Sequence, residues 1–384
     1  MSQRVNHELK QELLKYGVKD WNDCFHCGNC TAICPLTEDS ALFPRKAIRQ
    51  VQMGLTKSIE SNVDPWLCYY CGDCTIICPR DANPGELMMS LRRYLITVYD
   101  WTGISKLVST SKVFEISAII VIAIAVLVLY LLFTFYPSGD ASKWIGADGG
   151  ALINKMAPWK RIHLGDWIMA AVLVFLLITN LFNMWYKIIL KDKSLKVGFF
   201  DYIKEILVLP IHLLTQKRFA KCDDKSKNYW YIHLFLMLSY IMLFTMIVFF
   251  LEWFQTDKIH PVWHPQRLLG YIATIGLFVG IVYFYINRMK KAKENSKYSH
   301  YTDWTFLVLL FFTTLTGILL HGFRISGMPQ LTYITYLIHL MVLVPMLTIE
   351  VPFSKWSHLA YRPFAVYFSR VKNSVRIKQS KKNN

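Results

Sequence analysis

The chain has 384 residues, 54% of them hydrophobic, with a formal net charge of +17. A composition this apolar, with a positive mean hydropathy, argues against one water-soluble domain and for membrane spans. The charge does not call for nucleic acid, because Lys and Arg sit beside apolar runs and not on one soluble domain.

Residues 1–112 read as a soluble domain. An amphipathic helix is expected over 6–16. Residues 1–20 are charged and carry no apolar h-region, so they do not read as a signal peptide. The domain is therefore expected in the cytoplasm. Its first cysteine run covers 24–34. A helix is predicted over 44–53, stopped by Gly54. The second cysteine run covers 68–78. Pro84 then stands at the first position of a helix running to Tyr99. Arg92, Arg93, Lys106 and Lys112 lead towards the membrane. No alternating strand pattern is present, so the domain should be helical.

Beyond Lys112 the pattern predicts six spans, at about 113–136, 164–187, 229–253, 266–287, 303–321 and 330–351. Each is long enough for a ~30 Å hydrocarbon core at ~1.5 Å per residue. The predicted fold class is all-α: a helical two-cluster ferredoxin-like domain (1–112), a six-helix bundle (113–352) and a basic tail (353–384). Loops 191–228 and 288–301 and tail 353–384 hold nine, five and eight Lys/Arg; segments 137–163, 255–267 and 321–330 hold four, two and one. By the positive-inside rule the rich side, with both termini, faces the cytoplasm of an inner-membrane protein. The apolar segment 199–214 contains Asp201, Lys204 and Glu205, so it is expected to lie in the interface rather than span.

Eight of the nine cysteines form two copies of Cys-x2-Cys-x2-Cys-x3-Cys-Pro. Disulfide scaffolds space their cysteines more loosely, and structural zinc usually takes two separated pairs. This spacing suits two [4Fe–4S] clusters. In such runs three cysteines hold one cubane and the fourth reaches the other. Cys24, Cys27, Cys30 and Cys78 are therefore expected on cluster 1. Cys68, Cys71, Cys74 and Cys34 are expected on cluster 2. The ninth, Cys222, lies alone in a basic loop and reads, like His212 there, as structural.

Ionisable residues in spans are costly and usually functional. His233 and His358 both lie near the predicted inner surface and suit the two axial positions of an inner haem b. His339 lies near the outer leaflet and would need His321 or His163 as partner for a second, outer haem b. His260 and His264 lie in an outer loop. Together with His163, Asp166, Glu252 and Arg267 they are candidates for a quinone site.

Residues 1–100 resemble the C subunits of heterodisulfide reductases, through the two cysteine runs and Asn83-Pro84-Gly85-Glu86-Leu87-Met88. Residues 160–370 resemble the cytochrome b subunits of respiratory nitrate reductases and the related E subunits of heterodisulfide reductases. The carriers of that resemblance are His233, His339 and the segment Pro352-Phe353-Ser354-Lys355-Trp356-Ser357-His358. One expected ligand position falls at Leu243, which cannot bind iron. Met242 or Met246 would then substitute, or His321 or His163, or the iron would be five-coordinate. The fusion of both halves resembles the C subunits of quinone-interacting membrane-bound oxidoreductase complexes. That resemblance implies menaquinone, the cytoplasmic A and B flavoprotein subunits, and adenylylsulfate reductase as partners. The related alternative is the membrane redox component of a sulfite-reductase-linked or heterodisulfide reductase complex.

Overall fold

The computed structural model describes residues 4–37, 43–138, 141–222 and 227–383. Among them every regular element is helical, and the one β contact is an isolated bridge between Ile145 and Ala151. The fold is all-α, with six apolar helices following a cysteine-rich domain.

The N-terminal domain is built from short helices around one long one, Pro84–Tyr99. Asn83 caps that helix: its side chain accepts from the Glu86 N–H, and Pro84 needs no N–H at the first turn. Leu87, Met88, Leu91 and Leu95 face inward and meet Leu9 and Leu13 of helix Leu9–Leu14 and Ile48 and Val51 of helix Arg45–Gln52. The first helix, Leu9–Leu14, is shorter than the 6–16 expected from its amphipathic pattern: Asn6 Oδ1 accepts from the Glu8 N–H in the turn before it, and Gly17, with φ +90°, follows its end. Gly54 ends the next predicted helix with φ +64°, as its position suggests.

Six helices are long and apolar enough to cross a membrane: Lys112–Phe135, Trp159–Leu190, Asn228–Phe254, Pro265–Met289, Tyr301–Ile325 and Pro329–Phe353. All six predicted spans are among them. Second packs on third, third on fourth, fourth on fifth and fifth on sixth, while the first lies outside against the sixth. The third and fourth approach closely because Gly276 and Gly280 leave room. A Cβ on Gly280 would sit 2.5 Å from Leu236, and one on Gly276 would collide with Ser239. This is the small-xxx-small packing of membrane helices. The segment expected to lie in the interface is two helices, Phe199–Glu205 and Val208–Thr215, with exposed Phe199, Phe200, Leu207 and Ile211.

The basic C-terminal segment is not a loose tail. It forms helix His358–Asn383, whose Tyr361, Ala365, Phe368 and Val371 enter the same core as the N-terminal domain. Tyr361 stands 5.1 Å from Trp66 and 5.5 Å from Tyr99, ring centre to ring centre. Met184 and Ile188, at the end of the second span, join that core. The cysteine domain is thereby clamped to one end of the bundle.

A buried ionic cluster reinforces the clamp. Asp303, at the start of the fifth span, is 7% exposed. Lys355 pairs with it directly, and Arg93 and Arg288 each stand 3.8 Å away. Arg93 also holds Glu86 at 2.7 Å, and Glu86 accepts from the Tyr70 hydroxyl at 2.8 Å. The chain of contacts runs from the second cysteine run to the membrane helices.

Candidate functional site

Each cysteine run folds into a loop and one helical turn. Gly28 and Gly72, after the second cysteine of each run, have φ of +90° and +97°. That left-handed turn, which glycine adopts without a Cβ clash, starts the short helices Asn29–Ile33 and Asp73–Ile76. Those helices carry Cys30 and Cys74 and pack against one another.

The thiols assemble across the two runs. Burial pushes the Cys30 thiol up, and the neighbouring Cys24, Cys27 and Cys78 add to the rise. Burial likewise pushes Cys34 to about 12, with Cys68 and Cys71 contributing. Burial raises Cys74 well above the usual thiol range, with Cys68, Cys71 and Cys34 adding. Cys30 also stands among the neighbours that raise Cys74, so the thiols of the two runs adjoin one another. The donor chemistry fits two clusters: four thiols each, two of them already accepting backbone N–H bonds. Tyr70 N–H donates to Cys68 Sγ at 3.3 Å and Ala82 N–H to Cys78 Sγ at 3.4 Å. Among the described residues no three His, Cys, Asp or Glu side chains converge tightly enough for a single metal ion. A cubane, with one thiolate per iron, holds its ligands further apart.

The crossing gives a prediction. Cys34→Ser should remove cluster 2 while leaving cluster 1, and Cys78→Ser the reverse. Low-temperature electron paramagnetic resonance of the reduced variants would show one spectrum lost and the magnetic coupling between clusters gone. Loss of the cluster in the mutated run itself would contradict the crossed assignment.

Cys222 does not sit apart. Its thiol donates to Cys71, which holds Cys71 below the usual thiol range and Cys222 above it. With Cys34, Cys68, Cys71 and Cys74 it lines one small space. His212 is also near, with its ring centre 6.4 Å from Tyr69. Burial, then Arg362 and Arg218, pull His212 down to about 3, so it is neutral.

His233 and His358 line one cavity between the cysteine domain and the bundle, with Tyr240, Phe284, Trp356 and Arg362. His358 Nδ1 lies 2.6 Å from the Lys355 carbonyl, so it carries the proton and leaves Nε2 free. His233 Nδ1 lies 2.9 Å from Gln216 Oε1 and has the same option. A histidine that spends Nδ1–H on an oxygen and keeps Nε2 bare is in the usual metal-ligand arrangement. Burial, Arg362 and His233 keep His358 well below its ordinary range, hence neutral. The two Nε2 atoms left free are the donor chemistry of a bis-histidine haem. The free space is about 200 Å³, below the roughly 300–1,000 Å³ of ligand pockets, so the lining must open to admit a porphyrin.

The remaining histidines have different neighbours. His339 Nδ1 lies 2.9 Å from Thr316 Oγ1, and the ring rests against Gly317. His321 instead uses Nε2, 3.0 Å from the Tyr271 hydroxyl. His163 Nε2 lies between the Val248 carbonyl and the Trp167 indole N–H, 2.9 Å from each. Neither offers a free Nε2 beside His339. Met246 is buried and Met242 half-buried in the third span. Of the quinone candidates, His260 and Arg267 share a cavity, which His321 also lines. His264 stacks on His260 at 4.0 Å. Asp166 lies on the second span with one buried, unpartnered oxygen, and Glu252 is exposed. These candidates therefore do not form one group.

Three residues were not legible as functional in the sequence. Tyr69 stacks on Phe219 at 5.0 Å, and Phe219 meets His233 at 5.4 Å. Tyr69 follows a cluster-2 cysteine, so these rings join the second cysteine run to the histidine cavity. Gln216 orients His233 from the basic loop. Phe219 and Gln216 belong to no motif, and the place of Tyr69 inside the second cysteine run was the one signal.

Comparison with known proteins agrees with this division. Residues 20–82 match the family described as 4Fe-4S dicluster domain. The C 2 iron-sulfur subunit of a CoB–CoM heterodisulfide reductase from Methanocaldococcus jannaschii is 34% identical over 96 residues, 23% of this chain and 51% of that one. The E subunit of the dihydromethanophenazine:CoB–CoM heterodisulfide reductase from Methanosarcina thermophila is 27% identical over 183 residues, 43% of this chain and 65% of that one. The C2 subunit of an H2/formate:CoB–CoM heterodisulfide,ferredoxin reductase from Methanococcus maripaludis is 36% identical over 99 residues, 24% of this chain and 53% of that one. The chain thus spans about half the length of the iron–sulfur relatives and 65% of the membrane relative. No solved structure matches. This chain joins a dicluster iron–sulfur domain like that of the first and third relatives to a membrane region like that of the second.

Proposed function

We propose that the chain is a membrane electron-transfer subunit linking a lipid-soluble quinone to soluble redox partners through one haem b and two [4Fe–4S] clusters. The observation that carries this reading is the Tyr69–Phe219–His233 contact, which joins the second cysteine run to a cavity lined by two oriented histidines. Haem and clusters supply one-electron chemistry; the chain's residues place and tune them. Cys24, Cys27, Cys30 and Cys78 hold cluster 1, and Cys68, Cys71, Cys74 and Cys34 hold cluster 2. His233 and His358 hold the haem. Arg92 and Arg362 both donate to the Cys68 carbonyl, and their positive charge favours the reduced form of a cluster there. Cys27 and Phe25 are exposed, so cluster 1 is the one a soluble partner reaches.

In this reading the cysteine domain and both termini lie on the cytoplasmic side of the inner membrane, which the loop charges favour. The carrier is menaquinone, and the partners are the A and B flavoprotein subunits with exchange to adenylylsulfate reductase. The likeness to heterodisulfide reductase components favours a second reading, in which a phenazine-type carrier replaces the quinone and a disulfide is the far substrate. A reduced menaquinol analogue added to the purified chain should reduce its haem and part of its cluster absorbance within seconds. Reduction by a dihydrophenazine but not by the quinol would select the second reading. Reduction by dithionite alone would remove both.

A further inference from the structure

The end of the bundle opposite the cysteine domain holds a cavity of about 470 Å³ between the fourth and fifth spans. Its size lies within the roughly 300–1,000 Å³ of small-molecule sites. Arg267, Tyr271 and His321 form a hydrogen-bonded trio in its lining, beside Lys258, His260 and Arg324. Arg267 Nε donates to the Tyr271 hydroxyl at 2.9 Å, and that hydroxyl stands 3.0 Å from His321 Nε2. Arg267 Nη2 lies 3.4 Å from the same nitrogen. With an arginine donating to its oxygen, Tyr271 gives its own proton to His321, which is then a neutral acceptor at Nε2. The other wall is apolar. Ile275, Ile318 and Ile325 line the cavity and are also 56%, 37% and 47% exposed on the flank of the bundle. The space therefore reaches from a polar end to the apolar exterior of two membrane helices.

We propose that this cavity is the head-group site of the lipid-soluble quinone, with Arg267, Tyr271 and His321 as its polar contacts. The proposal rests on the quinone reading above and deepens it. A quinone carbonyl takes hydrogen bonds, which Arg267 and Tyr271 supply. A quinol hydroxyl gives one, which His321 Nε2 accepts in place of Tyr271. The exposed isoleucine flank passes an isoprenoid tail sideways into the bilayer, a route that a water-soluble ligand does not need. The same geometry assigns His321 to the carrier site and not to a haem.

The test uses the purified full-length chain in detergent and the fluorescent quinol analogue 2-heptyl-4-hydroxyquinoline N-oxide. Quenching on titration gives Kd for the parent, Tyr271→Phe, His321→Gln and Ile318→Trp, the last filling the cavity without touching the polar groups. Helix content by circular dichroism and bound iron check that each variant is folded and loaded. The expected result is a Kd raised at least tenfold in His321→Gln and Ile318→Trp, and raised less in Tyr271→Phe, with helix content and iron unchanged. Binding by the parent with unaltered Kd in His321→Gln and Ile318→Trp would overturn this site and leave the quinone reading standing elsewhere in the bundle. No binding by the parent would overturn both.

Discussion

His358→Ala should abolish the b-type absorption band of the dithionite-reduced chain while leaving cluster iron in place. His358 lines the cavity shared with His233 and keeps Nε2 free by giving Nδ1–H to the Lys355 carbonyl. Alanine removes the donor atom, and no other described histidine lines that cavity. His233→Ala should have the same effect. Gln216→Leu should have a smaller one, because it removes only the oxygen 2.9 Å from His233 Nδ1. Loss of such an orienting partner typically weakens metal affinity about 10–100-fold. Graded addition of haem to the apo-variants, followed at the Soret band, would rank the three. Equal haem content in His358→Ala and the parent would remove the inner haem assignment.

Asp303→Asn should destabilise the chain by roughly 3–5 kcal/mol, the usual effect of breaking a buried ion pair on one side. The aspartate answers three cations, Lys355, Arg93 and Arg288, contributed by three separate parts of the fold. The neutral amide leaves those cations buried and facing one another. The surface ion pair Lys297–Glu294 has no such role, and Glu294→Gln should change stability by no more than about 1 kcal/mol. Thermal unfolding in detergent, read by circular dichroism, checks both. Limited proteolysis should also cut between the cysteine domain and the first span faster in Asp303→Asn, since that cluster ties the two together. An unshifted unfolding midpoint would contradict the role given to the cluster.

Much of this architecture was written locally in the chain. The six spans were legible because a hydrocarbon core demands long apolar runs whatever their neighbours. The cysteine runs were legible because a cubane fixes ligand spacing within a few residues. The helix at Pro84 was marked by its own cap. What escaped reading is tertiary. Cys222 meets Cys71 across about 150 residues of sequence, and Gln216 meets His233 across a loop with no motif. The contact of His321 with Tyr271, 50 residues apart, brings both to a cavity that no motif marked. The closing helix is a different case. Tyr361, Ala365, Phe368, Val371 and Val375 recur at three- and four-residue steps, a helical stripe that the dense Lys and Arg around it obscured.

An outer haem on His339 would need a second ligand. His339 keeps a tidy bond to Thr316, yet the histidines proposed to complete an outer haem both spend Nε2 elsewhere. One haem and two clusters is the composition proposed. Iron and haem analysis of the purified full-length chain, taken with its reduced-minus-oxidised spectrum, tests this most directly. The expected result is one haem b per chain with a b-type band, and about nine irons in all, four for each cluster and one for the haem. A chain without that band, or with two haems, or with zinc in place of cluster iron, would contradict it.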